Sequence, residues 1–279
     1  MKAIGEIADI VELRTWANQL PYSRSSLEQD LKAASACDED DDAEQPAQAV
    51  FDEIAFRSQL LGSRYPFATD GLRLSCDFAS VAQAYLFCLG LCWLGGITND
   101  LRSREFEAMA LSAAKDYFGG DAIRVGAPWA TDQIRAYDQL LQLVADLIPE
   151  LGPPTRTKAP AGGDGGWDIV VAKNFPDRTS PRVIALGNCA TGRNWHTKGR
   201  EAEPASFWHS FTHHPVMDVQ ISFLAVPFAA SREEKRRKSG SACMVFDRFR
   251  ICAHTSMVGR NAIDWLESQR LGAQDLDIF

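Results

Sequence analysis

Apolar and polar positions along the chain change rhythm about midway. Residues 1–34 alternate at helical spacing and predict one or two helices. The segment Phe51–Gly62 (FDEIAFRSQLLG) places apolar residues at 51, 54, 56, 60 and 61, close to a helical stripe, and ends at a glycine suited to stopping a helix. Tyr65-Pro66-Phe67 breaks that pattern. From about Phe78 to Leu94 the positions are apolar on all sides, as in a largely buried helix. Leu101–Phe118 is a clearer helix, with apolar residues at 106, 109, 110, 113, 114 and 117 and a stop at Gly119-Gly120. Asp132–Ile148 reads as another helix, ending near Pro149.

After residue 166 the period shortens to that of strands. Trp167–Ala172 (WDIVVA) and Arg182–Leu186 (RVIAL) flank the turn-forming run Asn174–Pro181 and predict an antiparallel hairpin. Val219–Val226 and Cys243–Phe246 read as further strands, and Ala262–Arg270 as a helix. Gly152–Gly166 (GPPTRTKAPAGGDGG) is the stretch richest in Pro and Gly and has the composition of a linker. No internal repeat is visible. The expected architecture is α/β, with a helical N-terminal region over 1–100 and an α/β domain with a central mixed sheet over 101–279.

Composition narrows the class of protein. Of 279 residues, 46% are hydrophobic, enough for a substantial core, which excludes a disordered or collagen-like chain. The formal net charge of −8 means that contact with nucleic acid must come from a local basic surface. Seven scattered cysteines without a CxxC pair suit reduced thiols in a cytoplasmic protein. The N-terminus carries acids early, unlike a signal peptide. The longest apolar run, Phe78–Ile97, contains Gln83 and three glycines and favours a buried helix over a membrane span. Cys37–Pro46 holds six acids in ten residues and reads as a solvated loop rather than a binding tail.

Candidate chemistry concentrates in Gly162–Lys198. Asp168 lies at the start of one strand and Asn188-Cys189 at the end of its neighbour, with glycines that allow close approach. Glu105 and Glu107 lie on a helix able to pack beside this hairpin. Carboxylates from separate elements suit Mg²⁺, which polarises a phosphate and activates water. Taken singly, Glu107 suits a solvated surface acid, Asp168 a local cap, and Asn188 a left-handed turn position.

Taken in order, these motifs resemble a family. Phe106-Glu107 with Tyr117-Phe118-Gly119-Gly120, then Asp164-Gly165-Gly166-Trp167-Asp168, Gly187-Asn188-Cys189-Ala190-Thr191-Gly192 and Trp195-His196-Thr197-Lys198, are similar to the PD-(D/E)XK, restriction-endonuclease-like nuclease superfamily. The resemblance covers about Leu101–Lys198. It implies a restriction-endonuclease-like α/β core and a Mg²⁺- or Mn²⁺-dependent DNA endonuclease, with Glu107, Asp168 and Asn188 as metal ligands and Lys198 near the attacked phosphate. It further implies a bacterial restriction or anti-phage defence setting with partner subunits. The third motif departs from the family, which places an acid or Gln there with Lys two residues on. Here Asn188 offers only a neutral oxygen, and Ala190 stands in the lysine position, so Lys198, or secondly Lys173, must supply that charge. The departure makes a decayed nuclease-fold scaffold or DNA-binding subunit the alternative.

Other constellations are weaker. His209 and His213 share a helical face but lack a third zinc ligand. Cys189 with His196 has the residue types of a nucleophile and base without an oxyanion-hole motif. The run Arg232–Lys238 (REEKRRK) reads as a solvated loop, and its Lys235, Arg236, Arg237 and Lys238 are the best local candidates for phosphate contact. No membrane partner is expected, and a homo-oligomer is compatible with the sequence.

Overall fold

A computed structural model describes residues 2–33, 43–76, 82–95, 97–126, 137–152, 167–179, 181–197, 208, 216, 218–239 and 243–278. The chain divides into two compact units, one of residues 1–101 with 256–279, the other of 102–255. The C-terminal segment, expected with the α/β domain, therefore groups with the N-terminal residues.

The first unit contains α1 (Ile4–Asn18), α2 (Arg24–Ala33), α3 (Glu44–Leu61) and α4 (Gln83–Trp93), together with a sheet of β1 (Tyr22–Ser23), β2 (Phe67–Thr69) and β3 (Arg73–Cys76) in the order β1-β3-β2. Hydrophobic period did not predict this sheet, because strands of two to four residues are too short to establish an alternation. Helix α3 begins at Glu44, within the run expected to be a solvated loop; the part of that run from 37 to 42 lies outside the described residues. Gly62 closes α3 with a positive φ of 54°, a conformation that glycine adopts without a Cβ penalty. The buried stripe of α3 is Ala47, Val50, Phe51, Ile54, Arg57 and Leu61, while Phe56 and Leu60 are exposed.

Arg57 is the surprise in that stripe, a fully buried guanidinium. Its Nη1 reaches Asp9 at 2.7 Å and Glu12 at 2.9 Å, and its Nε reaches Glu53 at 2.9 Å. Tyr65 and Tyr85 donate to the two oxygens of Glu12 at 2.5 and 2.7 Å. Burial, and then the Glu12 charge, push the Tyr65 phenol well above its ordinary value. The network satisfies charges that would otherwise be costly to bury.

The second unit is built on a five-stranded mixed sheet in the order β4-β5-β6-β7-β8, formed by β4 (Asp121–Arg124), β5 (Ile169–Lys173), β6 (Val183–Cys189), β7 (Val219–Ala225) and β8 (Cys243–Phe246). The first three strands pair antiparallel, and β6-β7 and β7-β8 pair parallel. The expected hairpin is thus present, with Ile169 opposite Gly187 and Lys173 opposite Val183. One face carries Val170, Ala172, Ile184 and Leu186 against Leu140, Leu141 and Val144 of α6 (Tyr137–Leu147). On the other face Phe223 and Phe246 meet Phe118 at the end of α5 (Asn99–Phe118), with ring centroids 5.9 and 6.0 Å apart. This α/β arrangement with a central mixed sheet is the expected fold class.

Three further helices follow among the described residues: α7 (Arg232–Ser239), α8 (Arg248–His254) and α9 (Arg260–Ser268). Helix α7 replaces the loop expected at the charged run. Ser231 and Glu234 supply its start, the Ser231 N–H donating to Glu234 Oε2 at 2.7 Å and the Glu234 N–H to Ser231 Oγ at 3.1 Å, a reciprocal capping box. Among the described residues, no helix is long and apolar enough to cross a membrane.

Candidate functional site

The candidate site forms where α5, the end of β4 and the β5-β6 hairpin come together. Thr98 Oγ1 accepts the Leu101 N–H at 3.2 Å and starts α5. The helix then buries Phe106, Met109, Ala110, Ala113 and Ala114. Glu107 lies on the same side as this stripe and is 5% exposed. Glu105, two residues earlier and roughly 200° away around the helix, is only half-buried. Helical geometry thus separates the two acids that the sequence placed together.

Asp168 is fixed from both neighbouring strands. Its backbone N–H donates to the Gly187 carbonyl at 2.9 Å, and its own carbonyl accepts the N–H groups of Val125 and Gly126 at 2.7 and 3.1 Å. The side chain is held as well, since Oδ2 accepts the Cys189 N–H at 2.7 Å. The other oxygen, Oδ1, faces Gly126. A Cβ at that glycine would lie 2.6 Å from Asp168 Oδ1 and 3.2 Å from Glu107 Oε2. Two carboxylate oxygens, one from the helix and one from the hairpin, therefore converge on a single point left open by the missing side chain. They are no farther apart than the sum of those two distances.

A cation also reaches this point. Arg124, the last residue of β4, donates from Nε to Glu107 Oε2 in a short contact, and the two side chains are 10% and 7% exposed. Sequence reasoning did not single out Arg124, which lies in a four-residue strand outside every motif of the resemblance.

Asn188 is half-buried on β6, between Gly187 and Cys189, the two residues whose backbones bind Asp168. Ala190 is buried beside Trp195 and Leu224 in an apolar cluster, a setting with no place for a lysine head group. Lys198 lies outside the described residues, as do Asp164–Gly166, His209, His213 and His214. Lys173 is the last residue of β5, the far end of that strand from Asp168. His196 is exposed and meets the Trp195 ring edge-on.

On α7, Lys235 Nζ contacts Asp247 Oδ2 at 2.7 Å, and the Asp247 side chain is wholly buried. Arg236 and Arg237 are exposed, and Lys238 is half-buried. The structure thus removes Lys235 from the group of side chains directed to solvent.

The donors suit a hard divalent cation, for which carboxylate oxygens are the preferred ligands. Among the described residues there is no cluster of three His, Cys, Asp or Glu side chains able to hold a metal. Among the described residues, the charged oxygen donors at this point are the two carboxylates.

Neither protein-family profiles nor curated proteins match this chain. Among solved structures, the MspJI restriction endonuclease in complex with a 27-mer oligonucleotide aligns over 71% of this chain and 36% of its own, at 13% identity and a TM-score of 0.31. This chain thus spans about a third of that enzyme's length.

Proposed function

We propose that this protein is a Mg²⁺- or Mn²⁺-dependent DNA endonuclease of restriction-endonuclease-like type. The observation that carries the reading is the approach of Glu107 and Asp168 to the space beside Gly126. These two residues hold the cation, and Asn188 adds a neutral oxygen from β6. When bound, the ion polarises the scissile phosphate and lowers the pKa of a coordinated water. Asp168 is oriented for this by the Cys189 N–H, which donates to Oδ2 while Oδ1 faces Gly126. Gly126 keeps the approach open. Lys198, following the hairpin, supplies the positive charge that Ala190 cannot. By the resemblance stated above, the setting is a bacterial restriction or anti-phage defence system in the cytoplasm, with partner subunits or a second copy of the chain contributing DNA recognition.

A second reading has its own observation. The Glu107–Arg124 pair already neutralises one carboxylate, as expected of a decayed site retained as a scaffold or DNA-binding subunit. Incubating plasmid and single-stranded DNA with Mg²⁺ or Mn²⁺, wild type beside Asp168→Ala, separates the two. Metal-dependent nicking that disappears in the variant is the expected result. Cleavage that survives the substitution would place the chemistry elsewhere, and no cleavage with or without partner subunits would favour the scaffold.

A further inference from the structure

We infer that Arg124 sets the cation affinity of the carboxylate pair by competing with the metal for Glu107; this rests on the metal-dependent reading above. The guanidinium Nε donates to Oε2 of Glu107, the same oxygen that faces the Gly126 opening beside Asp168 Oδ1. A divalent ion entering there must share that oxygen or displace the guanidinium. With the guanidinium beside it, the pair also attracts a cation less strongly than two bare carboxylates would. Both partners of the pair are nearly excluded from solvent, so salt screens the repulsion little. The competition ends only when the side chain moves or is replaced.

Arg124 is accordingly a positioning residue with a particular sign. A partner that merely orients a ligand strengthens metal binding, and its removal costs about 10–100-fold in affinity. A competitor does the reverse. Arg124→Met, which removes the charge and keeps the stem, should tighten metal binding by a similar factor. Arg124→Lys, which keeps the charge, should stay close to wild type. Adding Asp168→Asn to Arg124→Met should abolish the gain.

The experiment is a Mn²⁺ titration of the full chain, with free Mn²⁺ read by electron paramagnetic resonance and folding checked by circular dichroism. Arg124→Gln is carried in parallel in case the methionine variant does not fold. Tighter Mn²⁺ binding in the neutral variants, with the lysine variant unchanged, is the expected result. If wild type binds Mn²⁺ and the neutral variants bind it equally or more weakly, the competition is overturned while the metal site stands. If neither wild type nor the neutral variants bind Mn²⁺, the metal-dependent reading falls together with the inference.

Discussion

At Gly126 the absent side chain is what lets Asp168 and Glu107 approach one another. A methyl group there would sit 2.6 Å from Asp168 Oδ1 and 3.2 Å from the Asp168 Cα, so neither the carboxylate nor the strand could remain in place. Gly126→Ala is therefore expected to weaken Mn²⁺ binding, and any cleavage, by at least about tenfold, the scale on which metal sites respond to disturbed support. A titration of the folded variant checks it; unchanged affinity would mean that the opening beside Gly126 is not where the cation sits. Part of this candidate site was legible in the sequence at the level of single residues. Glu107 and Asp168 were picked out by motif order, and they converge. Arg124 and Gly126 were not, because Arg124 matters through its contact with Glu107 and Gly126 through facing Asp168 across a strand pair, and neither contact has a local signature.

Helix α5 and the β5-β6 hairpin repeat their pattern long enough to be read, whereas β1 to β4 do not; the equally short β8 was read because its four residues, CMVF, are apolar throughout. Helix α7 was missed for a different reason. Its sequence is polar throughout, so it has no apolar stripe, and its start depends on the Ser231–Glu234 capping box. A similar lesson applies to Arg57, whose burial on α3 depends on acids from α1 that no periodicity reveals. The central sheet also explains a glycine within a strand. On β6, Gly187 pairs with Phe223 of β7, and a Cβ at Gly187 would fall within the Phe223 ring. Gly187→Ala should destabilise the protein by about 1–3 kcal/mol, the range for overpacking a filled core. Adding Phe223→Leu should recover part of that loss. Urea denaturation of the single and double variants tests the pair, and additive losses would show that the ring and the glycine do not constrain each other.

On the scale of the whole molecule, charge decides how DNA could be held. With 37 acids against 29 Lys and Arg, the overall field repels a polyanion. Binding must then depend on a small number of local phosphate contacts. The sequence put four basic residues of the charged run forward for this, and the structure distinguishes among them. Lys235 is engaged by the buried Asp247 carboxylate, so its charge is largely compensated, while Arg236 and Arg237 project from α7 into solvent. Each phosphate contact contributes about 0.9 to the slope of log affinity against log salt concentration. Arg236→Glu/Arg237→Glu should therefore lower DNA affinity in low salt and flatten that slope by roughly 1.8 if both residues touch phosphates. Lys235→Gln should leave the slope nearly unchanged. Fluorescence anisotropy with a labelled duplex at several salt concentrations gives both quantities. A double variant with the wild-type slope would move the DNA-binding surface off α7, and a large effect of Lys235→Gln would mean that its pairing with Asp247 gives way when DNA binds.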